Sequence, residues 1–215
     1  MSSLEKEVSY QHTNTYSTLN LLGPQTEQLW YCFHGMGYLS KYFARYFKSF
    51  DQQKNYFIVP QAPSKYYQKS DFKHVGASWL TKENTWLELE NLFQYLDAVH
   101  RVENKQSELP LNILGYSQGV SIALRWIAKR KLNPKQIFIH SGSIPAELDV
   151  KAFSHLSSET KVFLIYGRQD QYLTKEKLNL QLQKARALFG KKLSIHAFDG
   201  KHVMNPELLK ELHGK

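Results

Sequence analysis

Between residues 111 and 127 the chain reads Leu-Asn-Ile-Leu, then Gly115-Tyr116-Ser117-Gln118-Gly119, then apolar residues at Val120, Ala123, Leu124 and Ile127. The first run has the pattern of a buried strand and the last that of a helix. The short segment between them leaves room only for a sharp reversal. Residues two before and two after Ser117 must then be small, because the chain crosses itself there. A hydroxyl on such a turn stands out at the carboxyl edge of a sheet. It lies over a helix N-terminus, which favours developing negative charge.

The same alternation runs through the rest of the chain. Leu29–Phe33, Tyr56–Val59, Gln136–Ile139, Lys161–Ile165 and Leu193–Phe198 read as strands. Helical spacing predicts a helix over Tyr38–Phe50, one through Leu89, Leu92, Phe93, Leu96 and Val99, and one through Leu178, Leu182, Ala185 and Phe189 closed by Gly190. A last helix is expected from about Pro206. Strands alternating with helices predict an α/β fold built on a wound, mostly parallel sheet. With 215 residues, no repeat and no Pro/Gly/Ser linker, a single domain over 1–215 is expected. Val8–Leu22 reads as an N-terminal hairpin around Asn14, and about 61–82 as a long polar and aromatic loop of the kind that often carries function.

Composition narrows the function. Hydrophobic residues make up 42% and charged residues 22%, which excludes a disordered chain. No apolar run approaches the roughly 20 residues that span a bilayer, and the N-terminus has no apolar core of a secretory signal. A single cysteine, Cys32, excludes an intramolecular disulfide and fits a cytoplasmic protein. Cys32 lies inside a strand, as a core residue does, and not on the turn where a cysteine nucleophile would stand. The net charge of +9 is spread. Its densest stretches, 125–135 and 184–192, fall at predicted helix ends, where cations complement the helix dipole. No nucleic-acid motif accompanies them, so nucleic acid is not an expected partner. Metal-ligand spacing and phosphate-binding glycine loops are absent from the sequence, so no cofactor and no metal are implied. The 13 Tyr, 12 Phe and 4 Trp leave room for a homo-oligomer, whose interface the sequence does not locate.

A serine hydroxyl attacks only when a base takes its proton. Among nine histidines, His202 follows the last strand on a loop at the carboxyl edge. His196 lies within a strand, His100 within a helix and His213 near a fraying end, while His34 and His140 close strands. Asp170 follows the strand Lys161–Ile165 directly and is favoured as the carboxylate that orients His202. Asp199 stands too near His202 in sequence, and Asp149 precedes a strand instead of following one. The order Ser117, Asp170, His202 is that of elbow-type hydrolases. Oxyanion donors are expected from the backbone N–H of Gln118 and, in His34-Gly35-Met36-Gly37, from that of Met36. Tyr38, Trp79 and Met36 are candidates for lining a substrate pocket.

These blocks resemble those of the phospholipase/carboxylesterase family, which includes the acyl-protein thioesterases. His34–Gly37 is similar to the family's His-Gly-Leu-Gly, and Gly115–Gly119 carries its glutamine after the serine. Ser141-Gly-Ser-Ile-Pro145 resembles its Ser-Gly-x-x-Pro, Gly76-Ala-Ser-Trp79 its Gly-x-x-Trp, and the pair Gly167-x-x-Asp170 and Gly200-x-His202 completes the set. The resemblance implies a small α/β-hydrolase fold with helices on both faces and no cap. It also implies cleavage of small to medium esters or thioesters through an acyl-enzyme. Departures fall at Tyr38, where the family often has an acid, and at Gln171–Leu173. Both bear on substrate preference and leave the triad alone. The competing expectation is a non-catalytic small-ligand binder on the same fold.

Overall fold

The computed structural model describes residues 3–104 and 109–214. Met1 and Ser2, part of the segment read for a leader, lie outside them. Seven strands form one sheet: β1 (Tyr16–Leu19), β2 (Gln28–Phe33), β3 (Asn55–Pro60), β6 (Leu111–Tyr116), β7 (Gln136–His140), β8 (Lys161–Gly167) and β9 (Leu193–Phe198). Their spatial order is β1-β3-β2-β6-β7-β8-β9. Every pair is parallel except β1 with β3. This is the α/β-hydrolase arrangement the sequence predicts.

The central strands are apolar on both sides because both sides are covered. Leu29, Tyr31, Phe33, Ile113, Ile137, Ile139 and Leu164 point to one core, with helices α2 (Thr85–Glu103), α3 (Gln118–Arg130) and α4 (Lys175–Phe189) packed over it. Trp30, Cys32, Leu114, Tyr116, Phe138, Phe163 and Ile165, the residues between, point to the other. There α1 (Ser40–Phe43) and α5 (Pro206–His213) cover them. The helix ends follow local chemistry. Thr174 caps α4 through the Lys177 N–H, Asn205 caps α5 through the Leu208 N–H, and Gly190 ends α4 at φ +49°. Among the described residues, no helix is long and apolar enough to cross a membrane.

Four local expectations change. The N-terminal hairpin is absent: only Tyr16–Leu19 is a strand, and it pairs antiparallel with β3, Tyr16 opposite Pro60. An isolated hairpin is marginal in water, whereas the edge of a large sheet offers a ready ladder. The helix over Tyr38–Phe50 is shorter, since α1 gives way to a 3-10 turn at Ala44–Phe47. Phe43, Phe47 and Phe50 all reach the same core, and that packing overrides the helical pattern. The 61–82 loop contains a ribbon of its own, β4 (Ser64–Tyr67) paired antiparallel with β5 (Val75–Ser78). Its connection over 68–74 is too long to carry a tight-turn signature. Asp149 precedes a 3-10 turn, which it caps through the Ala152 N–H, and not a strand.

Candidate active site

The turn after β6 is as sharp as the sequence requires. Ser117 has φ 54° and ψ −120°, between a strand ending at Tyr116 and a helix starting at Gln118. A side chain in that region costs on the order of 1–3 kcal/mol, so the surroundings must impose it. They do so by close approach. A Cβ on Gly119 would meet the Phe33 carbonyl of β2, and one on Gly115 the backbone of Val120. The Ser117 N–H donates to the His140 carbonyl at 2.9 Å, tying the turn to β7.

The loops after β8 and β9 meet over this turn. The N–H groups of Arg168 and Gln169 donate to the carbonyls of Phe198 and Gly200, both at 2.9 Å, which fixes one loop against the other. Asp170 is buried. Its Oδ1 accepts the Tyr172 N–H at 2.9 Å, and its Oδ2 lies 2.7 Å from His202 Nδ1. A carboxylate there holds the proton on Nδ1, leaving the Nε2 lone pair to face Ser117 Oγ, 2.9 Å away. The Tyr116 hydroxyl donates to the His202 carbonyl at 3.1 Å, and the Tyr172 ring stands edge-on to the imidazole at 4.8 Å. Ser117, His202 and Asp170 are thus one hydrogen-bonded relay.

The competitors have other work. Asp199 is exposed and pairs with Arg168 at 3.1 Å. His100 meets the Tyr31 hydroxyl, and His196 lies in β9 beside Ser194. His213 is not fraying: its Nδ1 sits 2.6 Å from Gln136 Oε1 and its ring packs at 4.7 Å on Trp30.

A cavity of about 390 Å³ opens beside Ser117 and His202, within the range of small-molecule sites. Met36, Ser121, Ser141, Ser143, Tyr172 and Leu173 form its walls. Met36 and Gln118 both border it, and Gln118 is the first residue of α3, where a helix leaves its N–H groups unpaired. Tyr38 and Trp79 do not line it. Trp79 is buried, its indole N–H donating to the His34 carbonyl at 2.7 Å. Tyr38 turns its hydroxyl to that of Tyr46 at 3.2 Å and its ring to Phe43 and Tyr116. The Gln118 side chain is also a brace. Its Oε1 accepts the Trp79 N–H at 2.9 Å and its Nε2 donates to the Leu80 carbonyl at 2.7 Å. Sequence reasoning missed Ser121 as a cavity wall and marked Tyr172 and Leu173 only as departures bearing on substrate preference. The signal was available, because residues 172–173 follow β8 at the carboxyl edge and Ser121 lies one helical turn past Ser117.

A family model described as phospholipase/carboxylesterase matches residues 24–213. The chain belongs to the phospholipase/carboxylesterase family. It is a hydrolase of that family by the extent of the match. Solved structures share its fold at low identity. Acyl-protein thioesterase 2 of Zea mays is 15% identical, with a TM-score of 0.68 over 93% of this chain and 96% of that one. A phospholipase/carboxylesterase of Dyadobacter fermentans is 16% identical, with a TM-score of 0.68 over 96% and 99%. The carboxylesterase of Bacillus cereus is 16% identical, with a TM-score of 0.63 over 94% and 93%. No curated protein matches the chain in sequence.

Proposed function

We propose that this family member is a serine esterase or thioesterase working through an acyl-enzyme. The observation that carries the reading is the unbroken relay from Ser117 Oγ through His202 to the buried Asp170, at 2.9 and 2.7 Å, opening on a cavity of ligand size. Ser117 attacks the carbonyl carbon as His202 Nε2 takes its proton. Asp170 stabilises the imidazolium that forms. The N–H groups of Met36 and Gln118 receive the tetrahedral oxyanion. His202 then protonates the leaving alcohol or thiol. A water that gives its proton to His202 attacks the acyl-enzyme, and as the second tetrahedral intermediate collapses His202 returns that proton to Ser117 Oγ, freeing the acid and the enzyme. Esters and thioesters pass through the same steps. The serine hydroxyls around the cavity and its modest volume favour small to medium acyl groups.

The test is fluorophosphonate labelling of the purified protein, with mass spectrometry to locate the adduct, beside turnover of short-chain p-nitrophenyl esters by wild type and Ser117→Ala. Labelling at Ser117 and loss of turnover in the variant are expected. A wild type that neither labels nor hydrolyses any ester would sink the reading and favour a ligand-binding protein.

A further inference from the structure

We infer that His34 is a positioning residue: its Nδ1–H grips the Gly35 carbonyl and, through the rigid peptide joining Gly35 to Met36, aims the Met36 N–H at the oxyanion. The inference rests on the proposed role of Met36 as an oxyanion donor.

His34 directly follows β2 and is completely buried. Its Nε2 lies 3.1 Å from the Ala62 nitrogen, whose N–H donates to it. A ring nitrogen that accepts a hydrogen bond carries no proton, so the proton of the neutral ring is on Nδ1. The other side of the ring makes the same demand independently. Nδ1 lies 2.8 Å from the Gly35 carbonyl oxygen, which only accepts. Burial pulls the imidazole down to about 4, so the ring is neutral at neutral pH.

The Gly35 carbonyl and the Met36 N–H belong to one peptide plane. The bond is trans, so the two groups point in opposite directions. Whatever holds the carbonyl therefore sets the direction of the N–H. Two donors hold it, His34 Nδ1–H and, more loosely, the Tyr38 N–H at 3.3 Å. The flanking peptides are pinned as well. Trp79 holds the His34 carbonyl, and the Gly37 N–H donates to the Ala77 carbonyl at 2.9 Å. Among the described residues no acceptor meets the Met36 N–H. Its loop lies against the nucleophile, since a Cβ on Gly35 would stand 3.1 Å from Ser117 Cβ.

Two variants separate the two ring nitrogens. His34→Asn places an amide N–H near the position of Nδ1 and keeps the grip on Gly35. His34→Gln places an amide oxygen near Nε2, which serves Ala62 and abandons Gly35. Removing one oxyanion donor costs about 10²–10³ in kcat, so a misaimed one is expected to cost about 30-fold. His34→Gln should show that loss with KM within about threefold, and His34→Asn should stay within about fivefold of wild type on the same scale. Equal losses in the two variants, or losses that track their melting temperatures, would overturn the inference. Should neither variant fold, ¹⁵N spectra of the wild-type imidazoles decide: an Nε2–H tautomer at His34 refutes it. The Nδ1–H tautomer, with a downfield shift of the Met36 amide proton on adding an aryl boronate, supports it. An inactive wild type would refute the functional reading and this inference together. An active wild type with indistinguishable variants would refute the role of His34 alone.

Discussion

Replacing Asp170 with asparagine tests the relay without emptying its site. The carboxylate has two committed oxygens. Oδ1 takes the Tyr172 N–H at 2.9 Å and Oδ2 faces His202 Nδ1 at 2.7 Å. In Asp170→Asn the amide oxygen must stay on Tyr172. Turned the other way, the NH₂ would oppose the Tyr172 N–H and break that part-buried hydrogen bond, a net loss of about 1 kcal/mol. The NH₂ therefore faces His202, whose Nδ1 has to accept. The ring proton moves to Nε2, and the lone pair that receives the Ser117 proton is gone. Loss of the correct tautomer in a triad costs about 10⁴ in kcat, or about 5.4 kcal/mol of transition-state stabilisation. KM should change little, because Asp170 does not line the cavity. The assay is steady-state hydrolysis of p-nitrophenyl butyrate with a thermal melt of the same sample. A folded Asp170→Asn protein with kcat within tenfold of wild type would refute the tautomer argument.

Three further outcomes follow from packing and burial. Gly119→Ala should lose at least about 3 kcal/mol, beyond ordinary overpacking, because its Cβ meets the Phe33 carbonyl and not a movable side chain; an unchanged urea midpoint contradicts this. Trp30→Ala should cost about 3–5 kcal/mol by emptying a site stacked against Phe57 and Phe138. Urea unfolding measures it, and kcat per folded molecule should hold. His34 and His140 are drawn from 6.5 down to about 4 and about 3, desolvation being the main cause in both. The unfolded chain takes up their protons first, so their contribution is whole above pH 6.5 and is lost as pH falls from 6.5 toward 4 for His34 and toward 3 for His140. The expected slope is roughly 1.4 kcal/mol per pH unit for each, and stability that is flat between pH 7 and 5 would exclude it.

The parallel part of the sheet was legible because its signals are local. Strands such as Leu29–Phe33 are apolar throughout, α2 and α3 show their buried stripes in sequence, and α4 and α5 also carry a capping Thr174 and Asn205. The placement of Ser117, Asp170 and His202 on the loops after β6, β8 and β9 was legible for the same reason, since a parallel sheet carries the carboxyl end of each of its parallel strands to one edge. What failed was set by distant partners. Tyr16–Leu19 is a strand because β3 offers an edge, and the ribbon at 64–78 forms across a connection with no turn signature. His213, near the chain's end, is held by Gln136 and Trp30, neither visible in its own neighbourhood.

Trp79 carries the same lesson into the site. An aromatic residue in an active-site loop reads as a pocket wall, because its hydrophobic surface is obvious in sequence and its single N–H is not. In the fold that N–H decides its place. It reaches the His34 carbonyl, while the Trp79 backbone N–H is taken by the Gln118 side chain. The residue after the nucleophile is thereby linked, through Trp79 and His34, to the loop that carries Met36. Both proposed oxyanion donors, the N–H groups of Met36 and Gln118, hang on one buried framework, so neither can drift independently of the other. Electrostatic stabilisation depends on donors that need no reorganisation when charge appears. A tryptophan buried beside the cavity, and not lining it, serves that end by bracing both loops.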